Sequence, residues 1–212
     1  MRKIFITILF CLFAVNVFAN DAANQLQQKW DHITYEVKDN GDQKKQMQEL
    51  TKLALYHVKQ NPKSAEVRAW AGIILSSEAG YYRVNVVKAM SLVKKAKTIL
   101  EETIDIDPSV LNGSVYATLG SLYSEVPPFP IGFGDKGKAK NYFDKALAIS
   151  ADDIENNYFY AQFLFKQKQH QQALEYLQKA KNAPKRNGRS VADNGRRKEI
   201  DQWILKVRKK IS

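Results

Sequence analysis

Cysteine is all but missing: the only one, Cys11, lies within an apolar run near the N-terminus. Downstream of it no disulfide, thiol nucleophile or thiolate metal site can form, so the core alone must hold the fold. Histidine is also scarce. His32, His57 and His170 stand far apart with no second ligand at helical spacing, which leaves zinc without support. Asp105 and Asp107 begin like a calcium loop, but Val110 occupies the place where the sharp turn needs glycine. No Ser or Lys nucleophile context occurs. No segment alternates apolar and polar residues for long, which argues against strands. Apart from Ile4 to Val15 there is no long hydrophobic run, and that one falls short of the roughly 20 residues of a membrane span.

What is present begins with an export pattern. Arg2 and Lys3 precede the apolar run, and Val17-Phe18-Ala19 ends on the small residue that a signal peptidase requires. We expect residues 1–19 to be a signal peptide cleaved after Ala19, with an uncleaved N-terminal anchor as the alternative. The expected location is the periplasm. Phe10 precedes Cys11 where a lipobox needs a small residue, so lipid attachment is not expected. Residues 20–212 then form a single domain ending in a basic helix. The chain carries 33 Lys and Arg against 22 Asp and Glu, and the excess gathers between Lys185 and Ser212. Arg196, Arg197 and Lys198, with Lys206 to Lys210, are candidate contacts for an anionic lipid or cell-wall polymer. A solvated helix face explains the same charges equally well. Export argues against nucleic acid.

Almost every stretch has helical periodicity. Breakers fall at Asn40-Gly41, Asn61-Pro62, Gly80, Asp107-Pro108, Pro127 to Gly134, Ala151-Asp152-Asp153, Pro184 and Gly195, marking eight or nine helices. Asp152-Asp153 reads as the cap of a helix starting near Ile154. Repeats appear between the breakers. Tyr160-Ala161 and Leu164 fill the first helix of a unit; Ala173, Leu177 and Ala180 share one face of its second helix, and Pro184 closes it. Tyr116, Leu119-Gly120 and Tyr123 match the same first-helix positions, with Ala139, Phe143 and Ala146 matching the second. Trp70 and Ile74, then Ala96, Leu100, Thr103 and Pro108, form an earlier copy. Residues 22–62 read as a degenerate pair. This spacing is that of tetratricopeptide repeats. The expected fold is all-α: antiparallel helix pairs stacked as a right-handed array, a short α-solenoid with loop insertions. The insertions lie around Glu78 to Val87 and at Pro127 to Asp135, between the helices of their units.

Gly132 to Lys138 meets the G-x-x-x-x-G-K part of a phosphate-binding loop, but Ala139 stands where Ser or Thr should follow, and no strand precedes it. The Pro127 to Asp135 loop is more telling. Three prolines and two phenylalanines stiffen a stretch where a polar turn would suffice. Pro128, Phe129, Pro130, Phe133 and Asp135 are candidate contacts for a partner or ligand, together with Trp70, Tyr123, Tyr158 and Tyr160 on the concave side. Equally, the phenylalanines could plug the array and the tyrosines could be core. No cofactor is expected, and the protein is expected to bind rather than catalyse.

Leu111-Asn-Gly-Ser-Val-Tyr-Ala-Thr-Leu-Gly-Ser-Leu-Tyr, followed by Val126-Pro-Pro-Phe-Pro-Ile-Gly-Phe-Gly-Asp, resembles the T-component family of TRAP transporters. So do Ala69-Trp-Ala-Gly-Ile-Ile-Leu-Ser-Ser-Glu-Ala-Gly, Asn157-Tyr-Phe-Tyr and Arg189-Ser-Val-Ala-Asp-Asn-Gly-Arg-Arg-Lys-Glu-Ile. The resemblance implies a periplasmic protein of degenerate repeats that assists a transporter's substrate-binding component and handles an apolar ligand in an internal pore. The described T-components are lipoproteins, and this sequence departs from them at Cys11. The expected role is a periplasmic binding or scaffold protein, accessory to a TRAP-type transport system. The alternatives are a carrier of a small apolar ligand inside the array, or a basic-tail binder of an anionic surface.

Overall fold

The computed structural model describes residues 20–82 and 84–211. The expected signal segment, its cleavage point and Cys11 lie outside the described residues. Nine α-helices follow one another among the described residues: α1 (20–35), α2 (Asn40–Gln60), α3 (Ala65–Ala79), α4 (Val86–Ile106), α5 (Ser114–Glu125), α6 (Lys136–Ile149), α7 (Ile154–Lys166), α8 (His170–Asn182) and α9 (Ser190–Ile211). No strand occurs among those residues; one isolated bridge pairs Pro128 with Gly134. The fold is an all-α, tetratricopeptide-like array.

Caps explain several boundaries. Asp39 accepts from the amides of Gly41 and Asp42, Ser64 from Val67, Asn85 from Lys88, Asp135 from Lys138, and Asp153 from Glu155 and Asn156. Each satisfies amides that a helix start leaves unpaired, worth about 1 kcal/mol. Asn40-Gly41 is thus the first turn of α2 and not a break, because the cap lies one residue earlier.

The helix pairs cross where a small residue meets a large one. A Cβ added to Gly72 of α3 would lie 2.4 Å from the Leu100 side chain of α4, and one on Gly120 of α5 would lie 3.0 Å from the Phe143 ring of α6. In the α7–α8 pair Ala161 holds the matching place and is buried in one cluster with Leu177. Ala96, Ala139, Ala146, Ala173 and Ala180 are fully buried, as the repeat spacing requires.

The two insertions are built differently. Pro127 to Asp135 is a true loop between α5 and α6. The earlier one is mostly helix: α4 begins at Val86, well before its packing residue Ala96, and only residues 80–85 connect it to α3. Between α4 and α5, Leu111, Asn112 and Gly113 turn left-handed, with φ of 52°, 53° and 86°. Gly113 is required there twice over, since a Cβ would also meet the Ala146 carbonyl oxygen at 2.9 Å. Buried Asn156 locks this turn: its Nδ2 lies 3.0 Å from the carbonyls of Asn112 and Ala146 and 3.1 Å from that of Ser150.

Gly195 does not break the last helix; it lies inside α9. Its role is steric, because a Cβ there would come within 2.0 Å of the Tyr35 ring of α1. The first and last helices therefore touch. Repeat units usually contact only their neighbours, whereas here the two ends of the array meet.

Candidate functional site

The closure encloses a cavity of about 970 Å³, walled by α1, α3, α4, α5, α7, α9 and the segment before α9. Its apolar side is made by Trp30, Trp70, Ile73, Met90, Leu122 and Phe159. Trp30 and Trp70 lie with ring centroids 5.9 Å apart, and the Trp30 indole N–H donates to Ser77 Oγ at 2.8 Å. Ser76, Ser77 and Thr118 add hydroxyls to the wall, each donating back to a carbonyl one turn earlier, from Gly72, Ile73 and Ser114. With their protons so engaged, these groups present acceptor oxygens to anything inside.

One end of the cavity is charged. Arg189 forms a two-pronged pair with Asp31, Nε to Oδ2 at 3.0 Å and Nη2 to Oδ1 at 2.9 Å, and lies 5.0 Å over the Trp70 ring. Arg186 bonds both oxygens of Asp193 at 2.8 Å, one through its backbone N–H, and reaches Glu155 at 3.2 Å. Arg196 Nε faces Glu155 Oε2 at 2.8 Å, its Nη1 donates to Glu199, and its guanidinium lies 4.3 Å over Tyr158. Burial alone pushes the Glu155 carboxyl up, but Arg196, Arg186 and Arg189 outweigh it and hold it below the ordinary glutamate value. At Asp31 burial prevails over Arg189, and the carboxyl stays above the usual aspartate value. Burial likewise pushes Tyr158 up to about 12. A buried charge network of this kind stands only while every member is present.

Of the residues singled out from sequence, Trp70 and Arg196 line the cavity. The others do not. Tyr123 is buried between Phe133, edge-on at 5.2 Å, and Tyr142, stacked at 5.4 Å. Tyr158 is buried beneath Arg196, and Tyr160 packs at 5.6 Å on Phe143. All three tyrosines are core, for their rings fill the space between helix pairs. The loop divides: Phe133 packs against the core, while Pro128, Phe129 and Pro130 are exposed. Asp135 is spent as the α6 cap, and Gly137-Lys138-Ala139 is that helix's first turn, with Ala139 fully buried.

Arg196 is not a surface contact. It is buried, and its charge is consumed by Glu155 and Glu199. Arg197 donates to the carbonyls of Lys181 and Ala183. Of that trio only Lys198 is exposed. The residues that sequence reasoning missed are Asp31, Glu155, Arg186 and Arg189. Arg189 heads one of the stretches that carry the family resemblance, but periodicity offers no sign that a residue 158 positions away is its partner.

Among the described residues no helix is long and apolar enough to cross a membrane. No curated protein matches the chain. Among solved structures it is similar to yeast Tom70, at a TM-score of 0.50 and 18% identity, covering 76% of this chain. The chain spans 30% of Tom70's own length. It is also similar to the MamA protein (TM-score 0.42, 17% identity, 92% of this chain and 91% of that one) and to a thermophilic tetratricopeptide protein of Thermus thermophilus (0.40, 14%, 74% and 91%). At these identities the likeness concerns the fold. The family model for the TRAP transporter T-component matches residues 16–189. That family match marks a repeat protein of accessory or scaffold type. The chain belongs to the TRAP transporter T-component family.

Proposed function

We propose that this protein serves a TRAP-type transport system as a periplasmic carrier. It holds a small, largely apolar molecule in the central cavity and meets the transporter's substrate-binding component. The observation that carries this reading is the cavity itself, of about 970 Å³ and walled by two tryptophans, a methionine and a phenylalanine. Ligand sites of this kind typically enclose about 300–1,000 Å³ and pair apolar walls with few polar groups. The acceptor hydroxyls and the guanidinium-fronted end suit a molecule with a polar head on an apolar body. Family membership supports the transport context, and the N-terminal pattern supports the location.

The test is mass spectrometry of the protein isolated from periplasmic extract, under native conditions and again after solvent extraction. A Ser121→Trp variant fills the cavity from α5. We expect a co-purifying apolar molecule in the wild type, its loss in the variant, and quenching or shift of Trp30 and Trp70 fluorescence on reloading. A variant that keeps the molecule places it elsewhere, and a wild type that is empty and takes up no apolar probe ends the carrier reading.

A further inference from the structure

Ten large hydrophobic side chains are exposed among the described residues, and five of them stand on the two insertions: Val84, Val86, Val87, Phe129 and Ile131. Val84 is 99% exposed, Val87 82% and Phe129 87%. Water is a poor solvent for such side chains, and a concentration of them at one place marks a contact surface. The two insertions are neighbours. A Cβ on Gly132 would lie 3.2 Å from the Met90 methyl of α4, and Val86, Met90, Val126 and Pro127 line the cavity together. Gly80, Val86, Glu125 and Pro127 are exposed members of that wall, so the cavity opens between the insertions.

Lysines surround the base of these tips. Lys44 and Lys88 place their ammonium groups 4.7 and 5.8 Å from the Tyr82 ring centroid. Lys97 lies 5.9 Å from Phe133, and Lys138 lies 5.6 Å from Tyr123. The acids close by are each engaged: Glu101 is bonded to Lys97, Asp135 caps α6, Glu78 is buried beside the Tyr82 hydroxyl, and Glu125 is paired with Lys166. The rim thus combines protruding apolar tips, aromatic rings at their base and lysines whose ammonium groups lie over those rings.

We propose that this rim docks on the surface of an anionic lipid bilayer. The valines, Phe129 and Ile131 enter the headgroup boundary, and the lysines, stems laid along the rings, meet the lipid phosphates. A bilayer fits better than a folded partner. The tips are separate side chains projecting from two different segments, not a groove or flat face that a rigid surface could match. Aliphatic and aromatic residues combined with lysine form the chemistry that interfacial segments use. The docking does not depend on the carrier reading. If both hold, the cavity mouth faces the lipid and an apolar cargo crosses no water on its way in.

The experiment is co-sedimentation of the protein, as isolated from the cell, with vesicles of phosphatidylcholine alone or with phosphatidylglycerol added. Binding is expected with the anionic vesicles and should weaken as salt rises. Val87→Asp, Phe129→Asp and Ile131→Asp combined should lower partitioning about tenfold or more, at an unchanged thermal midpoint. Phe129→Ser alone serves if the triple variant folds poorly. Leu205→Asp, also an exposed apolar position but on α9, should bind vesicles as the wild type does. Wild-type protein that ignores anionic vesicles overturns the proposal, as does a rim variant that binds them undiminished. A rim variant that instead releases a protein partner while keeping vesicle binding makes the rim a protein interface. An empty cavity with intact vesicle binding defeats the carrier reading alone.

Discussion

The α5–α6 and α7–α8 pairs share a crossing and differ in nearly everything around it. Both pack a small residue against a large one, Gly120 against Phe143 and Ala161 in one cluster with Leu177. Yet α7 and α8 are joined through residues 167–169 alone, while α5 and α6 are joined by the whole proline-aromatic loop. The inner faces differ too. That of α7 is engaged by the arginines before and within α9, whereas that of α5 lends Thr118, Ser121 and Leu122 to the open cavity. The crossing fixes the pair, so the turn and the inner face are left to vary with function.

Four outcomes would break or sharpen that contrast. If the crossing is the common support, Phe143→Ala and Leu177→Ala should each destabilise by about 3–5 kcal/mol despite their unlike turns. Urea unfolding measures this, and a loss confined to one pair would mean that the turns contribute to packing after all. Next, Arg196→Met should cost about 3 kcal/mol by leaving Glu155 buried with less compensation. The same network predicts an acid dependence. Because the folded Glu155 carboxyl titrates below its ordinary 4.5, its contribution is present above that pH and is lost as pH falls through the folded value. The stability gap between wild type and Glu155→Gln should therefore close in acid; a gap that widens there would reverse the assigned sign. The smallest effects divide the loop. Phe133→Ala should cost about 1–2 kcal/mol as a half-buried ring, and Phe129→Ala no more than about 0.5 kcal/mol. Equal costs, read from thermal midpoints, would erase the division between anchor and tip.

The helix pairs were legible in the sequence because their signal is local. Ala173, Leu177 and Ala180 fall on one face by spacing alone, and Asp153 announces α7 by its type and place. Gly195 misled for a physical reason: a glycine that ends a helix and one that admits a ring from another helix look alike along the chain. Arg196 misled similarly, since a basic run does not show which of its members turns inward. The proline-aromatic loop stood out by composition, but its split into buried Phe133 and exposed Phe129 depends on Tyr123 and Tyr142 across the pair. The cavity was least visible, because its walls come from helices at both ends of the chain.

The pairing of Asp31 with Arg189, and of Tyr35 with Gly195, sets a limit on how this protein can evolve. An open stack of repeats can lengthen or shorten by one unit and keep every remaining interface. Once the first helix is matched to the last, adding or deleting a pair separates two groups that must meet, and the internal space disappears with them. The number of units is thereby fixed, and substitutions in the connecting turns become the tolerated route to new binding properties.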